Sequence, residues 1–235
     1  MGIIGTLHIH KGVIVSCQAK PGSPLRNAQV MAAMALAAEV GGAVGIRANG
    51  AEDVAAIRSL VKLPIIGINK VVLDGFDVFI TPTLESARQV AVAGADIIAL
   101  DATLRSRPDG MTAAQMIKLY KEELGLPVMA DISTLEEGMA AVEAGADIVA
   151  TTLSGYTPYS RQQEVPDFLL IAELAARIKT PIIAEGRIAS PEDARRALGE
   201  GAHAVVVGTA ITAIDWVTKR YVAALHGYPS SPSEN

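Results

Sequence analysis

Lys70, Asp131 and Glu185 are the residues on which chemistry could turn in this chain. Each ends an apolar run that follows a proline, in Leu63-Pro64-Ile65-Ile66, Leu126-Pro127-Val128-Met129 and Thr180-Pro181-Ile182-Ile183. Lys70 stands six positions after its proline, and Asp131 and Glu185 stand four after theirs. All three offsets are even, and side chains alternate along a strand, so the three share one face of their strands. A lysine beside carboxylates can move a proton, if burial or a neighbouring cation such as Arg47 lowers its pKa. It can also form a Schiff base with a carbonyl substrate. The competing reading is a layer of structural ion pairs, which leaves Arg47 and Gln18 at the same level without a purpose.

The elements that position these residues are marked by a second signature, a glycine and a small residue before an apolar run. It occurs at Gly41-Gly42-Ala43-Val44, Gly94-Ala95-Asp96-Ile97, Gly145-Ala146-Asp147-Ile148 and Gly201-Ala202-His203-Ala204, at intervals of 53, 51 and 56 residues. These intervals are too long for one strand–helix unit and suit two. The proline signatures fall between them, where a proline cannot continue a helix. With the run at Val13, eight strands are predicted: Val13–Gln18, Val44–Arg47, Ile65–Lys70, Ile97–Asp101, Val128–Asp131, Ile148–Thr152, Ile182–Glu185 and Ala204–Val207. Each is continuously apolar, as parallel strands buried on both faces are. Helical patterns follow at Asn27–Val40, Ala51–Val61, Leu84–Ala93, Thr112–Glu123, Thr134–Ala144, Asp167–Ile178, Pro191–Leu198 and Thr212–Leu225. Ser133-Thr134 before Glu136-Glu137, and Ser190 before Pro191, read as helix starts. The prediction is an α/β chain, a single (β/α)8 TIM barrel over residues 1–226, with a disordered tail at 227–235. Two long connections, Val71–Pro82 with its apolar piece Val78–Ile80 and Leu153–Pro166, follow strands and so belong to the catalytic face.

In such a barrel the active site is built at the C-terminal strand ends. Those ends read Gln18, Arg47, Lys70, Asp101, Asp131, Thr152, Glu185 and Gly208. Seven of the eight offer a polar side chain where a doubly buried strand should carry none. After the seventh strand comes Glu185-Gly186-Arg187, and after the eighth Gly208-Thr209-Ala210, opening a helix. Glycine turns with free amides can cradle a phosphate, and Arg187 would add a charge-assisted bond; tight turns alone are the plainer reading. None of the four histidines ends a strand, so no metal site is expected at the mouth. His203 reads as a surface or turn residue. A net charge of −5 without a basic run argues against nucleic acid. Cys17, the one cysteine, excludes an internal disulfide, reads as a small buried hydrophobe and fits a reducing, cytoplasmic setting. No apolar stretch reaches the roughly 20 residues that span a bilayer, so no membrane partner is expected; a homo-oligomer is compatible with the chain.

At these residues the chain resembles the N-acylglucosamine-6-phosphate 2-epimerase family, also called N-acetylmannosamine-6-phosphate 2-epimerase. The motifs that carry the resemblance include Ile14-Val15-Ser16-Cys17-Gln18, Ile46-Arg47-Ala48-Asn49-Gly50, Ile80-Thr81-Pro82-Thr83 and Ala130-Asp131-Ile132-Ser133-Thr134. The most specific are Thr151-Thr152-Leu153-Ser154-Gly155-Tyr156 and Ala184-Glu185-Gly186-Arg187-Ile188. The resemblance implies a cytosolic step of sialic acid catabolism that needs no cofactor and acts on an amino-sugar phosphate. It implies Lys70 as the residue that moves the proton, with Glu185 as its active-site carboxylate. Gln18, Arg47 and Asp131 match the family's substrate-contacting positions and Arg187 its phosphate contact; the strand-end reading adds Thr152 to the substrate set, and the glycine-turn reading adds Gly186, Gly208 and Thr209 to the phosphate set. Where the family often places a charged residue after the lysine, this chain has Val71-Val72-Leu73. A Schiff-base lyase using Lys70 and a non-catalytic phosphosugar-binding barrel are the rival functions.

Overall fold

Each glycine or proline signature hands the chain from a helix to a strand. In the computed structural model, which describes residues 9–226, those seven handovers and the first strand close a parallel barrel in the order β1 to β8. The strands are β1 Val13–Cys17, β2 Gly45–Asn49, β3 Ile65–Ile68, β4 Ile97–Asp101, β5 Val128–Asp131, β6 Ile148–Ala150, β7 Ile182–Glu185 and β8 Ala204–Val207. Helices alternate with them: α1 Ala28–Val40, α2 Ala51–Leu60, α3 Leu84–Val92, α4 Ala113–Leu124, α5 Leu135–Glu143, α6 Phe168–Arg177 and α7 Pro191–Gly199. Beyond β8 the chain forms α8 Thr209–Thr212 and α9 Ile214–Leu225. The single helix expected at Thr212–Leu225 is thus broken, because Ala213 leaves helical geometry at φ −96°, ψ 83°. None of the side chains of α9 is buried. The tail expected to be disordered, 227–235, lies outside the described residues.

Alternation along each strand separates two apolar sets. Ile14, Ile66, Ile97, Met129, Ile148, Ile183 and Ala204 fill the inside of the barrel. Their neighbours Val15, Ile46, Ile65, Ile98, Val128, Val149, Ile182 and Val205 face the helices. Fully burying one such aliphatic side chain contributes about 1.5–3 kcal/mol, so the two layers hold the barrel from both sides. Ile9 closes the bottom as part of the inner set, and His203 Nε2 lies 3.0 Å from its carbonyl. His203 is half-buried there and far from the strand C-termini.

Helix starts follow the sequence signals. Thr134 caps α5 and Glu137 answers it from the third helical position; Ser190 and Asp193 form the same box on α7, with Pro191 inside the first turn. Each such cap is worth about 1 kcal/mol. Three strands end earlier than the sequence reading placed them. Gln18, Lys70 and Thr152 lie one or two residues beyond β1, β3 and β6, because the ladder parts as the barrel opens into its mouth. Cys17 is buried on the outer layer, and burial with the Asp53 charge beside it pushes its thiol up to about 12.

Candidate active site

The inward alternation that places Ile66 and Ile68, Met129, and Ile183 in the core carries up the same strands to Lys70, Asp131 and Glu185. Arg47 stands in register with Ile66 and faces inward with it. Its guanidinium spans the mouth and holds two carboxylates at once. Nη2 lies 2.5 Å from Asp131 Oδ2, Nη1 lies 3.0 Å from Asp131 Oδ1, and Nη1 also reaches Glu185 Oε2 at 2.7 Å. Arg47 and Asp131 are almost wholly buried, at 1% and 0% exposure. Desolvation alone would lower the Arg47 pKa, but the Asp131 and Glu185 charges outweigh it and hold the group firmly cationic. Losing one partner of such a pair typically costs about 3–5 kcal/mol, because the other charge stays buried.

Glu185 is the carboxylate of this network that is moved furthest from its ordinary range. Burial, then the Asp131 charge, push its pKa up to about 7 against the pull of Arg47, Lys70 and Thr152. The Thr152 hydroxyl donates to Asp131 Oδ1 at 2.6 Å and so fixes the other carboxylate. Lys70 rises from the rim beside them. Its side chain remains open to the mouth, yet the concave wall around it and then the Arg47 cation lower its pKa; Glu185 and Asp131 act in the opposite direction, and Lys20 adds to the lowering. A lysine whose pKa is lowered beside a glutamate whose pKa is raised is a pair chemically able to exchange protons with a ligand.

Two polar atoms in this region are buried and have no partner among the described residues, Gln18 Oε1 and Arg47 Nε. Gln18 Nε2 donates to Ser16 Oγ at 2.7 Å, which turns the amide while leaving its oxygen unused. Unpaired buried polar atoms are costly in a static core and are expected where a ligand completes them. Gly208 packs against Ser16: a Cβ there would lie 3.2 Å from the Ser16 Cβ. The end of β7 is in register with β8 at Glu185–Val206, so Gly186 and Gly208 are neighbours on the rim. The backbone N–H groups of Gly186, Arg187, Gly208 and Thr209 donate to no acceptor among the described residues. Arg187, at a positive φ of 57°, sends its guanidinium back across the β6 loop. It donates to the carbonyls of Ser154 (2.8 Å) and Gly155 (3.1 Å) and stacks 4.3 Å from the Tyr156 ring centroid.

Asp101 also faces inward but does not join Arg47. Its Oδ1 accepts from the Thr103 backbone and hydroxyl, and its Oδ2 pairs with Arg105 at 2.5 Å. Residues outside the predicted set complete the surroundings. Asn49 Oδ1 accepts the Lys70 N–H at 2.8 Å, and Glu137 binds the loops after β4, β5 and β6 together. Asn49 lies inside the Ile46–Gly50 motif and was within reach of the sequence; the role of Glu137 beyond its cap was not. Among the described residues no group of three His, Cys, Asp or Glu side chains is arranged to hold a metal ion, and no helix is long and apolar enough to cross a membrane.

A family model described as "Putative N-acetylmannosamine-6-phosphate epimerase" matches residues 31–227. A protein of Caldanaerobacter subterraneus subsp. tengcongensis named "Putative N-acetylmannosamine-6-phosphate 2-epimerase" is 53% identical over 215 residues, 91% of each chain. One of the same name from Cutibacterium acnes is 50% identical over 203 residues, 86% of this chain and 88% of its own. The solved N-acetylmannosamine-6-phosphate 2-epimerase from Clostridium perfringens superposes with a TM-score of 0.89 at 45% identity, covering 93% of this chain and 95% of that one. A thiamine phosphate pyrophosphorylase from Pyrococcus furiosus, at 19% identity and a TM-score of 0.59, shares the fold alone.

Proposed function

Since the chain belongs to the N-acetylmannosamine-6-phosphate epimerase family, we propose that it inverts C2 of N-acetylmannosamine 6-phosphate, giving N-acetylglucosamine 6-phosphate, by proton transfer through Lys70. What supports the mechanism is the cluster at the barrel mouth, where Arg47 binds both Asp131 and Glu185 and Lys70 stands at the rim beside them, its pKa lowered by burial and the Arg47 charge. The hydrogen at C2 becomes acidic only when C1 is a free aldehyde, so the sugar ring opens first. Lys70, neutral, takes the C2 proton, and the electron pair moves onto the carbonyl oxygen as an enolate. The fixed cation of Arg47 favours that negative charge without reorganising. Glu185, near its pKa at neutral pH, is the second proton carrier of the site, and return of a proton to the opposite face inverts C2. Gln18, Arg47, Asp131 and Thr152 orient the sugar. The free amides of Gly186, Arg187, Gly208 and Thr209, with the Arg187 charge, receive the phosphate.

Every step uses groups of this chain, and we infer a reaction without cofactor. The single buried cysteine supports a cytoplasmic enzyme, and the family resemblance supports a place in the breakdown of sialic acid. Proton NMR in deuterium oxide with N-acetylmannosamine 6-phosphate tests the reading. The wild-type protein is expected to form the epimer and to exchange the C2 hydrogen; Lys70→Met is expected to lose both by at least about 1000-fold, the loss of an essential acid–base group. Exchange that survives in Lys70→Met would put the base elsewhere. A substrate adduct trapped by borohydride would replace proton transfer with Schiff-base chemistry.

A further inference from the structure

The end of β3 is held in an unusual way. β3 and β4 are paired at Ile66–Ile97 and Gly67–Ile98, and above that level another piece of chain runs between them. After β3 the loop goes out to Gly75 and returns through Phe79, Ile80 and Thr81. The returning limb makes an antiparallel bridge with Lys70: the Val71 N–H donates to the Phe79 carbonyl at 3.0 Å, and the Thr81 N–H donates to the Asn69 carbonyl at 2.9 Å. On its other side the Asp101 N–H donates to the Ile80 carbonyl at 3.0 Å. The Ile80 side chain enters the inner core at 3% exposure. The barrel therefore gains a short extra segment between β3 and β4, and Lys70 is anchored to that segment.

Thr81 occupies the crossing point. It is 1% exposed and holds φ +46°, an uncommon and strained conformation for a β-branched residue. All its polar groups are engaged. The hydroxyl donates to the Ala99 carbonyl of β4 at 2.6 Å and accepts the Asn69 N–H at 3.1 Å, and the Thr81 carbonyl accepts the buried Tyr120 hydroxyl at 2.9 Å. One side chain thus spans the gap between the two parted strands. It does so at the residue immediately before Lys70, while Asn49 holds the Lys70 N–H from the β2 side. A glycine would adopt this φ freely but could not bridge the strands; an apolar residue would keep the strain and lose the bridge.

We propose that Thr81 is a positioning residue for Lys70, a strained latch whose hydroxyl ties β3 to β4 and sets the direction in which the lysine leaves the barrel rim. The proposal rests on Lys70 being the proton-transfer group. Misplacing a reacting group by about 1 Å can cost about 100-fold in rate. Thr81→Gly keeps the backbone conformation and removes the latch. It is expected to lower kcat about 100-fold with KM within about threefold, on that same basis. Thr81→Ser restores the hydroxyl and is expected to recover most of the loss.

The second readout does not depend on turnover. The Lys70 amine is titrated by carbon NMR in the full-length protein, assigned by comparison with Lys70→Met. The groups around it, Arg47, Glu185, Asp131 and Lys20, set its lowered pKa. In Thr81→Gly that titration is expected to move toward the ordinary lysine value, and in Thr81→Ser to return. A folded Thr81→Gly protein with wild-type kcat and an unmoved Lys70 titration overturns the latch, as does a lowered melting temperature with both readouts unchanged. If the wild type does not epimerise the sugar, the functional reading fails, and the titration still decides whether Thr81 positions Lys70.

Discussion

The two long loops of the catalytic face are built in opposite ways. The loop after β6 is stitched down by side chains along its length. Ser154 donates to Asp167 at 2.7 Å, Ser160 accepts the Gly155 N–H at 2.9 Å, Thr157 donates to Ser133 at 2.9 Å and Tyr159 donates to Glu137 at 2.8 Å. Arg187 crosses over it from the next rim position. The loop after β3 is fixed only at its base, by the Lys70–Ile80 backbone bridge and the Thr81 hydroxyl, while Val72 at its tip is 83% exposed. Composition explains the contrast. Tyr, Ser, Thr and Gln supply donors and acceptors that can organise a loop locally, whereas of residues 71–77 only Asp74 and Asp77 have polar side chains, and neither can donate as a carboxylate. One side of the mouth is therefore a stitched wall, and the other carries Lys70 on a short seam made of the Lys70–Ile80 bridge and the Thr81 hydroxyl.

The largest effect is expected at the hub of the stitched side. Glu137 is 2% exposed, and its carboxylate accepts from Ser133 N, Ser133 Oγ, Thr134 N, Leu104 N and the Tyr159 hydroxyl. Glu137→Ala would leave several of these donors unpaired, at about 1–3 kcal/mol for each that stays buried. A total near 3 kcal/mol corresponds to a melting temperature lower by about 6–12 °C in a chain of this size. A scanning calorimeter reads this directly. A fall of less than about 2 °C, under 1 kcal/mol by the same conversion, would show that the loops after β4, β5 and β6 hold themselves without the hub.

Much of this arrangement is legible in the residues, and what is not has a physical cause. Glycine and proline have steric signatures that survive without context, so the strand count and the barrel follow from them. Parity is equally local: even offsets place Lys70, Asp131 and Glu185 on the inner face whatever the rest of the chain does. Asp101 has the same parity, yet Arg105 takes it, because the pairing depends on the path of a loop. Threonine as a residue type favours strands, and nothing local announces the positive φ of Thr81, which arises where β3 and β4 part. The break at Ala213 carries neither glycine nor proline to announce it.

The next effect is a pH dependence centred on the stitched wall's edge. Glu185 has a folded pKa raised to about 7 from an ordinary 4.5. Between those values the folded protein binds more protons than the unfolded chain, so this group's contribution is full below about pH 4.5 and is lost as pH rises through 7. Lys70, lowered from 10.5, acts in the other sense: its contribution is present above the unfolded value and is lost as pH falls through the folded one. Melting temperatures of wild type and Glu185→Gln across this range test the assignment. The wild type is expected to carry a downward component between pH 4.5 and 7 that Glu185→Gln lacks. Parallel curves would mean that Glu185 is not the group raised.

The smallest effect compares one glycine from each loop. Gly75 at the β3 tip and Gly155 in the β6 loop have nearly the same positive φ, 82° and 75°. Alanine in that conformation costs about 1–2 kcal/mol at either position, for steric reasons local to the residue. What differs is the space around them. A Cβ on Gly75 meets nothing within 4 Å, whereas one on Gly155 falls 2.8 Å from Arg187 Nη2 and 2.9 Å from Nη1. The guanidinium could yield only by giving up the Ser154 and Gly155 carbonyls and the Tyr156 ring. Gly75→Ala is therefore expected to shift the melting temperature by about 2–8 °C and leave KM for the phosphosugar unchanged. Gly155→Ala is expected to lower the melting temperature further and, by displacing Arg187, to raise KM by about tenfold, the loss of one charge-assisted bond. If the two variants match in both measurements, Arg187 is free to swing aside, and the β6 loop is no more a pre-organised wall than the tip opposite it.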